Sequence, residues 1–245
     1  MKVVAIIPCR YQSTRLPGKP LALIDGKPMM WHVYQRALSS GVLDEIYIAT
    51  DDLRIQEVAN ALNLKVIMTA DEHNTGSDRV AEAAQSIEAD YYINIQGDEP
   101  LIDPNTIRLV VKEMVNCEDA TVKAVNAYSL LSEAVDIMDI NVVKVITNIK
   151  NNALAFSRQP IPYPQSGLPT KYYKQLGLYI FSQSGINVFL NHKPQYLEQT
   201  EGVKMYRLLE LGHTIKMLRV HDNSISVDTQ QDLIKVNKIV QQNQG

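Results

Sequence analysis

The stretch that decides the fold is Val3-Val4-Ala5-Ile6-Ile7, which runs at once into Pro8-Cys9-Arg10-Tyr11-Gln12-Ser13-Thr14-Arg15-Leu16-Pro17-Gly18-Lys19-Pro20. The apolar run has no polar alternation, which predicts a strand buried on both faces, as in a parallel sheet. Pro8 ends this strand. In open parallel sheets, ligands bind beyond the carboxyl ends of the strands, so the loop after it is a candidate site.

Strand and helix patterns alternate through the first half of the chain. Further strands are predicted over 45–49, 65–68 and 91–95, and helices over 28–38, 53–62, 76–87 and 104–115. This alternation predicts an α/β fold with a doubly wound, mostly parallel sheet.

The second half is less regular. Strands are predicted over 121–130, 141–147, 174–181 and 215–220, and helices over 184–190, 198–211 and 229–240. The proline-rich segment 158–164 must be a loop. No internal boundary is evident, so we expect one domain over 1–245, with a smaller lobe covering the site.

Composition narrows the class of protein. The 245 residues are 45% hydrophobic and carry a formal net charge of −3, so charge does not favour a nucleic-acid partner. No apolar stretch has the length of a membrane span, and the first apolar run is too short for a signal peptide. Cys9 and Cys117 form no CxxC pair. We therefore expect a cytoplasmic protein without membrane insertion.

The loop from Arg10 to Lys19 carries the chemistry of a polyphosphate cradle. Arg10, Arg15 and Lys19 supply charge and hydrogen-bond donors, and Gly18 allows close backbone approach. The spacing is not that of a Walker loop. The alternative is an ordinary solvated basic loop.

Two aspartates are candidate ligands for a hard cation. Asp98 lies in Gln96-Gly97-Asp98-Glu99-Pro100, after a predicted strand, and Asp228 follows another strand-like segment. Mg²⁺ needs few protein oxygens, because water and phosphate supply the rest. The alternatives are a turn before Pro100 and a cap of the last helix for Asp228. A metal role requires the two aspartates to converge in space.

Two other places are weaker candidates. Asp78 and Arg79 stand at a predicted helix start, which suits an anion or a nucleobase edge but also an ordinary cap. Arg158 has the geometry to grip a carboxylate, although it equally fits a surface arginine.

Taken together, these segments resemble the 3-deoxy-manno-octulosonate cytidylyltransferases, which make CMP-KDO. The resemblance runs nearly end to end, and several motifs occur in the same order. They are the loop segment 7–20, Asp25-Gly26-Lys27-Pro28-Met29, Ala49-Thr50-Asp51-Asp52, His73-Asn74-Thr75-Gly76-Ser77-Asp78-Arg79, Asn94-Ile95-Gln96-Gly97-Asp98-Glu99-Pro100, Phe156-Ser157-Arg158 and Val227-Asp228-Thr229.

The resemblance implies a Rossmann-like nucleotidyltransferase fold and a reaction. CTP and a 2-keto-3-deoxy sugar acid would give the CMP-sugar and pyrophosphate, with Mg²⁺ as cofactor and a homodimer as the assembly. The product would serve lipopolysaccharide or capsule synthesis. By the family pattern the triphosphate is held by Arg10, Arg15 and Lys19, and the rest of the nucleotide is bordered by Pro8, Cys9, Ser77, Arg79 and Gln96.

The same pattern implies the other roles. Asp98 and Asp228 would hold the metal, and catalysis would fall to Lys19, Arg10 and Asp98. Arg158 would face the sugar carboxylate. Cys9 stands where the family commonly has alanine, and we expect no nucleophilic role for it.

The chain departs from the family around the sugar. Gln175-Leu176-Gly177 replaces His-Leu-Gly, and Val203-Lys204-Met205-Tyr206-Arg207 replaces Leu-Glu-Gln-Leu-Arg. On a helix, Glu201 would share a face with Lys204 and replace the lost acid. The expected sugar-binding set is therefore Arg158, Gln175, Glu201 and Lys204.

Four functions follow as hypotheses. The first is cytidylyl transfer to KDO or a close analogue, and the second is transfer to a different, for example amino-substituted, 2-keto-3-deoxy acid. The third is a sugar-1-phosphate nucleotidyltransferase, and the fourth is a nucleotide-binding regulator without turnover. The retained Arg10, Lys19, Asp98 and Asp228 argue against the regulator.

Overall fold

The computed structural model describes residues 1–13, 15–73, 75–165, 167, 169–221 and 224–242. In chain order the strands are β1 (Val3–Pro8), β2 (Leu23–Ile24), β3 (Lys27–Pro28), β4 (Glu45–Thr50), β5 (Val66–Met68), β6 (Tyr91–Ile95), β7 (Val122–Leu131), β8 (Lys144–Thr147), β9 (Ala153–Ser157), β10 (Tyr172–Ser182) and β11 (Thr214–Arg219). The helices are α1 (Met29–Ser39), α2 (Leu53–Ala61), α3 (Gly76–Gln85), α4 (Pro104–Val115), α5 (Ala134–Met138), α6 (Gln183–Asn191), α7 (Tyr196–Glu201), α8 (Tyr206–Glu210) and α9 (Gln230–Gln242).

One sheet runs through both halves of the chain in the order β11-β7-β10-β6-β1-β4-β5. The pairs β1–β4, β1–β6, β4–β5 and β7–β11 are parallel, whereas β10 runs antiparallel to both β6 and β7. The predicted mostly parallel, doubly wound α/β sheet is confirmed.

The strand β1 lies at the centre of this sheet, and its apolar side chains are buried on both faces. Val3, Ala5 and Ile7 pack in the core cluster shared with α1, α2 and α4, whereas Val4 and Ile6 pack in the cluster shared with α3, α6 and α8. Each fully buried valine or isoleucine contributes about 1.5–3 kcal/mol. The continuous apolar run is thus explained by helices on both sides.

Helix starts follow the predicted chemistry. The Asp52 carboxylate accepts a hydrogen bond from the Arg54 backbone NH and caps α2, and the Thr75 hydroxyl caps α3 by accepting from the Asp78 NH. Among the described residues, no helix is both long and apolar enough to cross a bilayer.

Three expectations for the second half were wrong. The single helix over 198–211 is two helices, α7 and α8, because Gly202 adopts a left-handed φ of 65° and ends α7. The strand expected over 141–147 begins only at Lys144. The strand β9 was missed, and it pairs with β8 as an antiparallel hairpin.

The hairpin β8–β9 and the short helix α5 form a smaller lobe, residues 134–157, which we call the covering lobe. It joins the sheet through β8 and β10. The buried Lys144 ammonium donates to the carbonyl oxygens of Asp139 and Val142 at 2.8 and 2.6 Å. These bonds tie down the loop between α5 and β8, which borders the cleft described below.

We predict that Gly185→Ala destabilises the fold. An added Cβ on α6 would overlap the backbone carbonyl oxygen of Lys123 on β7. Alanine improves helix propensity by about 1 kcal/mol, but overpacking costs roughly 1–3 kcal/mol or more, and backbone cannot move aside cheaply. Thermal and urea unfolding should show a net loss, with Asn191→Ala, at the exposed end of α6, as the control. An unchanged midpoint for Gly185→Ala would contradict the close packing of α6 on β7.

Candidate active site

The site lies at the carboxyl edge of β1 and β6. The loop after β6 passes close to the loop after β1, since an added Cβ at Gly97 would lie 2.7 Å from the Pro8 carbonyl oxygen and 3.1 Å from the Cys9 Sγ. Only glycine permits this approach. The two loops therefore form one continuous wall.

The basic loop is folded back on itself. Gly18 adopts φ 67°, and its NH donates to the Tyr11 carbonyl at 2.9 Å. The Tyr11 ring is covered by the Arg54 guanidinium at 3.3 Å, and Asp52 pairs with Arg54 at 2.6 Å. This fold aims Lys19 inward. Thr14 and Asn74, which belong to the quoted motifs, lie outside the described residues.

Lys19 brings the two candidate aspartates together. Its Nζ lies 2.7 Å from the Asp98 Oδ2 and 3.1 Å from the Asp228 Oδ1. Burial alone would lower the pKa of the Lys19 ammonium, but the two carboxylates outweigh burial and the pKa is raised. Lys19 is therefore a stable cation at neutral pH, and the convergence that a metal role requires is present.

Arg15 joins the same cluster. Its guanidinium lies 3.1 Å from the Asp228 Oδ1 and donates to the Asn141 Oδ1 of the covering lobe at 3.2 Å. The start of α9 is capped by Thr229 and not by Asp228: the Thr229 hydroxyl accepts from the Asp232 NH, and the Asp232 carboxylate accepts from the Thr229 NH. The Asp228 carboxylate is thus available for its ion pairs with Lys19 and Arg15.

The cluster lines a cavity of about 290 Å³, which we call the basic pocket. Of the predicted residues, those that line it are Pro8, Arg10, Arg15, Lys19, Arg79, Gln96, Asp98 and Asp228. Three arginines and one lysine against two aspartates give this pocket a net positive lining, which suits a polyphosphate.

The start of α3 borders the pocket through Thr75 and Gly76. Arg79 is 2% exposed and pairs with Asp51 at 3.0 Å, and it also donates to the Thr69 hydroxyl. Ser77 does not line the basic pocket but a neighbouring cavity. The helix start is thereby fixed against β4 and the segment after β5.

Two cavities continue from the basic pocket. The first, about 320 Å³ and here called the lobe pocket, is lined by Arg10, Ser77, Gln96, Gln175, Tyr179 and Lys204 among others. The second, about 830 Å³ and here called the wide cleft, is lined by Arg15, Asp98, Arg158, Gln175 and Asp228 among others. Gln96 lines all three cavities and Gln175 lines the latter two, so the three cavities adjoin one another.

Gln175, which lines the lobe pocket and the wide cleft, has an unused hydrogen-bond donor. Its Nε2 is buried and has no hydrogen-bond partner among the described residues. A buried amide without a partner costs about 1–3 kcal/mol, which a ligand oxygen would recover. The neighbouring Gly177 leaves room for Gln96, because an added Cβ would lie 2.8 Å from the Gln96 Cγ.

Arg158 and Glu201 are held together. The Glu201 carboxylate accepts from the Arg158 backbone NH at 2.9 Å and from the Ser157 hydroxyl at 3.0 Å. The Arg158 guanidinium donates to the backbone carbonyls of Glu201 and Ile140 at 2.6 and 2.7 Å. Since α7 ends at Gly202, Glu201 does not share a helical face with Lys204, and the predicted replacement of the lost acid by Glu201 on that face is wrong.

The other residues that differ from the family pattern lie either in the hydrophobic core or at a pocket. Met205 is fully buried in the core, whereas Lys204 faces the lobe pocket and lies 3.5 Å from Glu198. Cys9 is 1% exposed, and burial raises the pKa of its thiol to about 12. The Cys9 thiol therefore stays protonated, which agrees with the expectation of no nucleophilic role.

Sequence reasoning missed several residues of the site. Tyr179, which was not among the predicted site residues, lines both the lobe pocket and the wide cleft. Asn141 and the buried Lys144 act through the covering lobe. A buried lysine inside an apolar strand pattern is a usable signal, but a tyrosine in β10 carries none.

Comparisons with known proteins agree on one family. The family model described as Cytidylyltransferase matches residues 4–216. The chain is 41% identical to a 3-deoxy-manno-octulosonate cytidylyltransferase of Geobacter metallireducens, with 96% of each chain covered, and 38% identical to one of Escherichia coli, with 98% and 97% covered.

Solved structures agree. The fold matches CMP:2-keto-3-deoxy-manno-octonic acid synthetase complexed with CTP, at a TM-score of 0.93 and 37% identity, covering 99% of this chain and 100% of that one. A Bacillus anthracis structure named as a glucose-1-phosphate thymidylyltransferase has a TM-score of 0.69 at 16% identity, with 97% and 94% covered, and shares the fold alone. The chain belongs to the 3-deoxy-manno-octulosonate cytidylyltransferase family of nucleotidyltransferases.

Proposed function

We propose that this enzyme transfers CMP from CTP to 3-deoxy-manno-octulosonate or a close analogue and releases pyrophosphate. The observation that carries the proposal is the convergence of Lys19, Asp98 and Asp228 on a pocket whose other charged lining groups are arginines. A triphosphate needs such positive charge, and a phosphoryl-transfer metal needs such carboxylates. The named relatives act on this nucleotide and this sugar.

In the proposed reaction the anomeric 2-hydroxyl oxygen of the sugar bonds to the α-phosphorus of CTP. The bond from the α-phosphorus to the bridging oxygen breaks, the hydroxyl loses its proton, and pyrophosphate leaves. Little covalent chemistry is needed from the protein, which positions the reactants and offsets negative charge. Lys19 and Arg10 are proposed to stabilise the triphosphate, with Arg15 beside them.

A divalent metal fits the residues present. The Asp98 and Asp228 carboxylates already share one cation, Lys19 Nζ, and their side chains are 27% and 34% exposed toward the pocket. We propose that these two carboxylates hold Mg²⁺, which takes its other ligands from water and phosphate. The ion would neutralise charge on the phosphates and orient them.

The nucleoside is proposed to lie along the start of α3. Arg79 and Gln96 line the basic pocket beside Pro8, and Ser77 lies on the adjoining lobe pocket. The backbone of Pro8 and Cys9 would read the cytosine edge, because the Cys9 side chain itself is buried.

The sugar acid is proposed to occupy the wide cleft and the lobe pocket. Arg158 would face the sugar carboxylate, with Glu201 as the group that orients it through the backbone NH of Arg158. Gln175 and Lys204 would contact the sugar hydroxyls, since both face the lobe pocket.

A second candidate acceptor is a different, for example amino-substituted, 2-keto-3-deoxy acid. Lys204 and Gln175 support this alternative acceptor, because both differ from the family pattern and both line the lobe pocket. Sugar-1-phosphates stay a third candidate for the assay, supported only by fold likeness. A panel of these acceptors with CTP and Mg²⁺, read by pyrophosphate release, decides among them. No pyrophosphate release with any acceptor of the panel would favour a nucleotide-binding regulator without turnover.

We further propose that residues 1–245 act as a single catalytic domain in the cytoplasm.

We also propose that two copies of the chain form a homodimer. Apolar side chains on α5 and just after it are exposed, with Val135 at 79%, Met138 at 67% and Ile140 at 59%. Exposed apolar groups on neighbouring turns mark an interaction surface. Light scattering coupled to size-exclusion chromatography should give about twice the chain mass, and a monomer at micromolar concentration would contradict the dimer.

We predict that Asp98→Asn lowers the turnover rate at least about 100-fold, because the carboxylate serves metal and phosphate. Stability should fall by only about 1 kcal/mol or less, because Lys19 keeps its ion pair with Asp228 and Asp98 does not pack in the core. Pyrophosphate release with CTP, Mg²⁺ and KDO measures the rate, and thermal unfolding measures stability. The control is Asp90→Asn, at the opposite end of β6. Wild-type-like rates in Asp98→Asn would refute the metal assignment.

We predict that Lys204→Gln and Lys204→Glu change kcat/KM for the acceptors by roughly threefold to tenfold, while KM for CTP changes less than about twofold. The glutamate variant should also be less stable, since it places a carboxylate beside the buried Glu198. Lys193→Gln, on an exposed loop, is the control. An unchanged acceptor profile in both variants would show that Lys204 does not contact the sugar.

A further inference from the structure

Arg207 is the most heavily bonded buried cation among the described residues, although it does not line the basic pocket. It is 1% exposed and lies on α8. Its Nε and Nη2 donate to the two carboxylate oxygens of Glu198 at 2.7 Å each. Its Nη1 donates to the Asp78 Oδ1 at 2.7 Å and to the carbonyls of Phe189 and His192 at 3.3 Å.

Asp78 is the link from this network to the substrate side. It stands in the first turn of α3, and its second oxygen accepts from the Thr75 hydroxyl at 2.6 Å. Thr75 and Gly76 line both the basic pocket and the lobe pocket. One carboxylate therefore connects a buried arginine of the second half to the helix start that borders the proposed nucleotide site.

The start of α3 is held from two sides. Arg79 ties it to Asp51 and Thr69 on the β4 and β5 side, and Asp78 ties it to Arg207 on the opposite side. A helix start that is already held on two sides loses little further conformational freedom when a ligand binds to it. The other arm of Arg207 reaches Glu198, which lies 3.5 Å from Lys204 of the lobe pocket.

We propose that Arg207 is a positioning residue for the nucleotide: through Asp78 it fixes the Thr75–Gly76 turn at the start of α3 for CTP binding. The inference rests on the proposed function. A buried arginine with matched acceptors is geometrically rigid, because its planar fork satisfies both carboxylates at once. A purely structural ion pair would stabilise the fold without affecting the nucleotide.

The test uses Asp78→Asn in the full-length chain. Arg207 keeps its bidentate partner Glu198, so no buried carboxylate is abandoned, and Asp78 is 21% exposed. The amide keeps one acceptor oxygen, so it cannot accept from both Arg207 and the Thr75 hydroxyl as the carboxylate does. We expect the Kd for CTP, measured by titration calorimetry, and KM for CTP to rise about tenfold to 100-fold, as for a lost charged hydrogen bond. KM for the acceptor should change less than about twofold.

The matched control is Asp103→Asn, because Asp103 also stands at a helix start, where it caps α4, and does not line the basic pocket. It should leave the Kd for CTP unchanged. A lower melting temperature in Asp78→Asn with an unchanged Kd would overturn the proposal and leave Arg207 a structural residue. Wild-type protein that binds CTP but turns over no acceptor would sink the proposed function, while the Kd comparison would still decide this inference.

Discussion

The contact of one ammonium with two carboxylates organises the site. Lys19, Asp98 and Asp228 belong to the loop after β1, the loop after β6 and the segment before α9, so the ion pairs close the structure over 79 and 209 residues of chain. The lysine side chain is 15% exposed, and a partly buried cation is costly unless it is paired. Each of the three segments is therefore held where the other two require it.

Much of the remaining architecture serves this contact. The central strand β1 is rigid because helices cover both of its faces, so the loop that follows starts from a fixed point. Gly18 then turns the loop with a left-handed φ of 67°, and Gly97 lets the backbone pass where a Cβ would not fit. The second half contributes from the other side, through Asn141 on the covering lobe and Asp228. The charged side chains of the basic pocket are thus held in position by the apolar core that packs on both faces of β1.

The proposed acceptor side is built differently from the proposed nucleotide side. The proposed nucleotide side stands on β1, β6 and the start of α3. On the proposed acceptor side, Arg158 directly follows β9, Gln175 lies on β10, and Lys204 lies in the turn after Gly202. Arg158 is oriented through backbone carbonyls and the Glu201 carboxylate. Gln175 and Lys204, where this chain departs from the family pattern, line the lobe pocket and not the basic pocket. A change at either residue is therefore expected to alter the proposed sugar site rather than the Lys19 cluster.

The sequence by itself determined the parallel sheet, because an unbroken run such as Val3 to Ile7 has no polar face to expose. It also determined which residues could serve a polyphosphate, because Arg10, Arg15 and Lys19 follow that strand within one short loop. The sequence did not reveal the break in the predicted helix over 198–211. A glycine inside a helical pattern does not by itself end the helix, and here the left-handed φ of Gly202 does so. Only the tertiary structure decided that Asp228 joins Lys19 and that Arg207 reaches the start of α3, because these contacts join residues over 100 positions apart, and local periodicity carries no information about such distances.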